Sequence, residues 1–306
     1  MLLIAATILP HHAQAQPAIT EETFSTRLRA PAEMHFFIRW PAGVWEGGDV
    51  AGVLCYCTWQ DSPEALRQQL GGRMPEGERN PAASTIEFAD QHRLAVMAWT
   101  LGAGFWDRGV SADEQERARA RFYDRLFSEV VDTWEGSVRR VVRRHNLPED
   151  GWLMWGTSRG AQWAHRLALR KPQYFKAVAI HINSSYDAPT PAAAGIWWLA
   201  TTGELENGYE AGKRWFQQCR ELGYPIIFRG DPNRAHNTSP ESERLRWALF
   251  ELALAEPGAR LPPFEPQWAG DLVNHRVVPW DQRDEIPEDV RVPLPNEDMA
   301  DMFGGR

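Results

Sequence analysis

Residues 152–162 read Trp152-Leu153-Met154-Trp155-Gly156-Thr157-Ser158-Arg159-Gly160-Ala161-Gln162. The apolar run Trp152–Gly156 predicts a short buried strand, and the small residues around Ser158 predict a sharp turn. From Arg159 to Arg170 the side chains Ala161, Ala164, Leu167 and Ala168 recur on one side, as a helix packed on a sheet requires. Lys171-Pro172 ends that helix, because proline cannot continue it and restrains the residue before it. A strand, a turn and a helix in this order present the Ser158 hydroxyl at the turn, with glycines on both sides where strand and helix approach. Serine is a weak nucleophile near neutral pH, so such a hydroxyl needs a base and donors for the oxyanion it generates. The backbone N–H of Arg159, at the helix start, is one candidate donor.

Outward from this stretch, short apolar runs alternate with longer stretches of helical period, which predicts an α/β protein with a mainly parallel sheet between helices. Phe24–Leu28, Met34–Trp40, Val50–Thr58 and Leu94–Thr100 are expected strands before the turn; Phe175–Ile182, Gly195–Thr201 and Pro225–Arg229 follow it. Asp61 or Ser62 is expected to cap a helix over Pro63–Leu70. A charged helical region from Ser111 towards Arg144 carries Trp134, Val138, Val141 and Val142 as its packing face. Helices are also expected over Gly208–Leu222 and Pro240–Leu254. Beyond Glu256 the prolines at 257, 262, 263, 266, 279, 287, 293 and 295 and the loss of periodicity predict an arm, residues 257–306, with no core of its own. Its Phe264, Trp268, Val277, Val278 and Trp280 predict that it lies on a single catalytic domain spanning 16–256.

With 306 residues and 43% hydrophobic side chains, the chain can bury a full core. A net charge of -8 offers no basic surface for phosphates, so nucleic acid is excluded as a partner. Leu2–Leu9, Pro10 and Ala13-Gln14-Ala15 look like the end of a secretory signal peptide, residues 1–15, too short to span a bilayer. Export to the periplasm or the medium is the corresponding expectation. Cys55, Cys57 and Cys219 form neither a disulfide framework nor a zinc-ligand spacing, and they read as buried small hydrophobes. No metal or cofactor is expected.

Gly156–Gln162 followed by Leu167–His181 (LALRKPQYFKAVAIH) resembles the α/β-hydrolase fold, and within it the secreted esterases similar to polyhydroxyalkanoate depolymerases and feruloyl or acetylxylan esterases. The resemblance covers about residues 50 to 240 and implies an acid and then a histidine downstream of Ser158. His11 and His12 lie in the leader, His145 ends a surface helix, His165 points away from the turn, and His181 ends a strand. His236 follows the last strand in the loop Gly230–Pro240, where the resembled fold holds its catalytic histidine. Related hydrolases often show a glycine with an aspartate three residues later. Here Gly203 puts Glu206 at that position. Glu204 competes, because alternation along an extended turn sends both side chains to one side, and Asp187 after the preceding strand is a third option.

The second oxyanion donor is expected after the strand Val50–Thr58, at Thr58 or Trp59. Trp59 and Trp106 occupy loops at the same end of the sheet and are the expected substrate contacts, while Trp155 and Trp163 read as core. These residues together imply a serine-dependent hydrolase of small or polymer-linked carboxylic esters. A peptidase or acyltransferase of the same fold, or a non-catalytic binding member, stands as the alternative.

Overall fold

The computed structural model describes residues 18–26, 33–58, 62–72, 74–75, 77–101 and 130–305. The leader, Trp59 and Trp106 lie outside these residues, as do Asp61 and the start of the helical region after Ser111.

Eight strands form one sheet: β1 (Ile19–Ser25), β2 (Glu33–Arg39), β3 (Gly52–Cys57), β4 (Leu94–Thr100), β5 (Trp152–Thr157), β6 (Phe175–His181), β7 (Trp197–Gly203) and β8 (Ile226–Asp231). Their order is β1-β2-β4-β3-β5-β6-β7-β8. The pairs β1–β2 and β2–β4 are antiparallel, and every later pair is parallel. The buried strands are near-continuous apolar runs because both faces are covered by helices. The direction of winding reverses between β3, which pairs with β4 on one side, and β5 on the other. Open α/β sheets place their ligand crevice at such a reversal, beyond the C-terminal ends of the strands.

The helices are α1 (Pro63–Leu70), α2 (Ala83–Gln91), α3 (130–144), α4 (Arg159–Arg170), α5 (Tyr209–Glu221) and α6 (Pro240–Ala255). Ser62 caps α1, its side chain accepting from Ala65 N. On one face Trp134 of α3 packs on Trp152, and Trp215 of α5 meets Trp198. On the other, Phe88 of α2 stacks on Trp247 of α6. Trp134, Val138, Val141 and Val142 are all buried, as their spacing predicts. His145, expected on a surface, is instead buried at the end of α3, with Nε2 3.0 Å from Glu22 Oε1 and the ring against Trp40. The three cysteines are buried and free, and burial pushes their thiols upward.

The proline-rich segment departs from expectation. Three short strands, β9 (Trp268–Asp271), β10 (Val277–Pro279) and β11 (Arg291–Leu294), form a second antiparallel sheet of order β10-β9-β11. Helix α7 (Glu297–Gly304) follows, capped by Asn296. The segment does lean on the main domain: Leu261, Leu272, Val292, Leu294, Met299 and Phe303 join the principal core. Ala269, Val278 and Ile286 make a small cluster of its own, so the expectation that it builds no core holds only in part. Strands of three and four residues are too short to leave a period in the sequence.

Candidate active site

β5 ends at Thr157 and α4 begins at Arg159, which leaves Ser158 as the single residue of the turn. Its backbone has φ 56° and ψ -121°, a conformation that a non-glycine residue holds only when its surroundings enforce it. Ser158 N donates to His181 O at 2.9 Å, and Ser158 O accepts from Gln162 N at 3.1 Å. The flanking glycines are required by contact rather than by conformation. A Cβ on Gly156 would lie 2.4 Å from Gly160 O, and one on Gly160 would lie 2.2 Å from Cys57 O. Thus α4 presses on the end of β5 and on the end of β3 together. That contact brings the start of α4, with Arg159, beside the segment that leaves β3 at Thr58.

The other side of the site is built from two loops. Gly203 closes β7, and a Cβ there would lie 2.3 Å from both Arg234 O and Ala235 O. The turn after β7 and the loop after β8 are therefore in backbone contact. Glu204 N donates to Asp231 O at 3.1 Å and Leu205 N to Arg234 O at 2.9 Å, while Glu206 N turns back to Gly203 O at 3.0 Å. The loop after β8 is anchored at its root by Asp231, a buried carboxylate paired with buried Arg229. Asp231 also accepts from Ser239 N at 3.0 Å, Ser239 Oγ at 2.6 Å and Ser242 Oγ at 2.8 Å. A buried charge stays charged only when paired and hydrogen-bonded, and each of these bonds ties the loop's two ends together.

Within this frame Ser158 Oγ lies 2.9 Å from His236 Nε2, and His236 Nδ1 lies 3.2 Å from Glu206 Oε2. His236 is 56% exposed in its side chain and Glu206 only 13%, so the carboxylate is shielded behind the ring. The three residues come from the ends of β5, β7 and β8, in the chain order serine, acid, histidine.

The remaining acid candidates have other partners. Glu204 Oε1 meets His275 Nε2 at 2.8 Å, and Asp187 Oδ1 accepts from Arg166 Nε at 3.1 Å. The segment after Gly203 is a turn and not an extended strand, so Glu204 and Glu206 reach different histidines and not a common side. His165 is buried on α4, where its Nε2 accepts from Asp187 N at 3.1 Å. His181 is buried with Nδ1 2.6 Å from Thr201 Oγ1. Burial first, and then the Arg246 cation, hold the His181 ring well below the usual imidazole range. Arg246 itself is buried between Trp155, 3.8 Å from that ring's centroid, and Trp247 at 4.1 Å. Trp155 is core as expected, and Trp163 is partly buried against it. His275 carries no sequence signal: it sits in the proline- and charge-rich segment with no periodicity around it.

Among the described residues no group of three or more His, Cys, Asp and Glu side chains could hold a metal ion, and no helix is long and apolar enough to cross a membrane.

No protein-family model matches the chain, and no curated protein matches it. Solved structures do. A ferulic acid esterase from Anaeromyces mucronatus, in complex with ferulic acid, matches with TM-score 0.55 at 8% identity over 82% of this chain and 94% of its own. An isopeptidase matches with TM-score 0.52 at 15% identity over 78% of this chain, which spans 39% of the isopeptidase's length. A thermostable esterase matches with TM-score 0.51 at 13% identity, covering 70% of this chain and 54% of that one. At such identities the likeness is one of fold, and the fold is that of the α/β-hydrolases.

Proposed function

We propose that the chain is a serine hydrolase that cleaves carboxylic esters through an acyl-enzyme, with Ser158 as nucleophile, His236 as general base and Glu206 as the orienting acid. The observation that carries this reading is the unbroken relay from Ser158 Oγ to His236 Nε2 at 2.9 Å and from His236 Nδ1 to Glu206 Oε2 at 3.2 Å. In it the Ser158 hydroxyl donates to Nε2, and Nδ1–H donates to the carboxylate. That fixes the tautomer in which Nε2 is free to take the serine proton. As Oγ attacks the carbonyl, His236 becomes an imidazolium, and the Glu206 charge stabilises it. The backbone N–H of Arg159 and one from Thr58 or Trp59 receive the oxyanion, because α4 packs directly on the end of β3. His236 then gives its proton to the leaving alcohol, and water repeats the sequence on the acyl-enzyme.

The substrate is a small or polymer-linked ester, contacted by Trp59 and Trp106. Ferulic acid bound to an esterase of the same fold favours placing aryl esters in the first substrate panel. The Ala13-Gln14-Ala15 pattern supports export as part of this reading. Hydrolysis of p-nitrophenyl acetate or butyrate by the wild type is expected to fall by roughly 10⁴-fold or more in Ser158→Ala. A fluorophosphonate probe is expected to label Ser158 and nothing in the variant. Undiminished ester hydrolysis by Ser158→Ala would overturn the mechanism.

A further inference from the structure

The C-terminal segment reaches the turn after β7 through the bond between His275 Nε2 and Glu204 Oε1 at 2.8 Å. We propose that His275 is a positioning residue for the reaction: it braces the turn after β7 through Glu204, and so sets Glu206 against His236. This rests on the serine hydrolase reading above.

Both members of the bond are held before they meet. His275 sits in the left-handed region at φ 54°, and its N–H donates to Asp271 O at 2.9 Å. Asp271 fixes the same turn with its carboxylate, which accepts from Val273 N at 2.9 Å, Asn274 N at 3.1 Å and Asn274 Nδ2 at 2.9 Å. Asp271 N in turn donates to Arg276 O at 2.7 Å. The imidazole is thus carried on a turn closed from both sides. Its ring also lies 6.4 Å from that of Phe303, a core residue of α7.

Glu204 is confined as well. A Cβ on Gly230 would come 3.0 Å from Glu204 Cγ, so the side chain lies across the backbone of β8. It is half-buried, and Glu206 is two residues on, after the bend closed by Glu206 N and Gly203 O. His275 Nδ1 is buried with no partner among the described residues, so the ring's hold on the site is its Nε2–H, which donates to Glu204 Oε1.

The segment has a second hold on the same loops. Arg229, whose guanidinium pairs with Asp231 at the root of the His236 loop, donates from Nε to Phe303 O at 3.3 Å. The acid turn and the base loop are thus each tied to residues 257–306 and to one another. Without His275 the loop contact at Gly203 remains, but the end of the turn that bears Glu206 loses its outer support.

The test is a double-mutant cycle on p-nitrophenyl ester hydrolysis by the full chain. His275→Leu is expected to lower kcat roughly tenfold with KM little changed, less than the roughly hundredfold that a 1 Å misplacement can cost. His275→Gln, which keeps a donor near the Nε2 position, is expected to recover most of that loss. If His275 acts through Glu204 on Glu206, His275→Leu has no further effect on kcat in a Glu204→Ala or a Glu206→Ala background. An equal loss in those backgrounds overturns the proposal and marks a general structural role, as does a full kcat in His275→Leu alone. Failure of the underlying reading looks different, because then Ser158→Ala and Glu206→Ala leave hydrolysis intact. Should His275→Leu fold poorly, His275→Asn, which suits the left-handed backbone but is too short to reach Glu204, takes its place in the cycle with Glu204→Ala.

Discussion

The two halves of the site use one device at very different range. At Ser158, Gly156 lets the start of α4 touch the end of β5, and the two elements that meet are joined into a strand-turn-helix unit by the five consecutive residues Gly156 to Gly160. At Glu206 and His236, Gly203 lets the turn after β7 touch the loop after β8, and the touching residues are about thirty positions apart in the chain. In both places a missing Cβ allows two backbones to meet. The first contact is in the core and between regular elements. The second joins two surface loops whose own hydrogen bonds, and Asp231 beneath them, complete the positioning. Ser158 should therefore fail together with the fold, and Glu206 and His236 should fail separately from it.

Gly160→Ala gives the largest expected effect. Its Cβ would meet a backbone carbonyl at 2.2 Å, and α4 cannot retreat without leaving β5, where Gly156 and Gly160 are already in contact. A loss of at least about 3 kcal/mol in stability is expected, with fluorophosphonate labelling of Ser158 abolished. Chemical denaturation together with labelling measures both, and retention of either at the wild-type level would contradict the account of the turn.

Gly203→Ala separates the two halves. The clash, 2.3 Å from Arg234 O and Ala235 O, falls on loop atoms that can move outward. A displacement of about 1 Å carries His236 away from both Ser158 and Glu206, for an expected loss in kcat of about 10²-fold. The melting temperature should move much less than in Gly160→Ala. A Gly203→Ala protein as unstable as Gly160→Ala would show that the loop pair is part of the core after all.

This difference in range also sets how much of each half is legible in the sequence. Residues 152–170 carry their strand, turn and helix in the local pattern, and the observed bounds of α4 match those expected. His236 is marked only by its place after the last parallel strand, a consequence of topology and of the resembled fold. The choice between Glu204 and Glu206 turned on whether the chain after Gly203 runs extended or bends. The bend is set by bonds to Asp231 and Arg234 that no local pattern contains. Glu204's partner was still less visible, since His275 follows a four-residue strand in a segment read as an arm without periodicity. Helix α2 leaves little mark in the sequence for a related reason. Its start at Ala82 has no side-chain cap and its apolar face is weak, so neither end nor period announces it.

The smallest expected effect concerns how α4 is held from behind, and it contrasts two histidines. His236 is more than half exposed, while His165, on the helix that carries the elbow, is buried and accepts from Asp187 N at 3.1 Å. Burial first, and then the neighbouring Arg166 cation, push the His165 ring down to about 3. In the unfolded chain the same ring titrates near ~6.5. The folded form thus binds fewer protons between these values. Its contribution to stability is fully present above the unfolded value and is lost as the pH falls, by ~1.4 kcal/mol per pH unit for one proton. His165→Gln, which can still accept from Asp187 N, should cost little at pH ~7.5 and should flatten the dependence by about that slope on the acid side. His181 is held low in the same direction and remains in the variant, so a shallower slope is expected and not a flat one. Urea unfolding of both proteins at several pH values below neutrality reads the difference, and parallel curves would mean that His165 is protonated in the folded state.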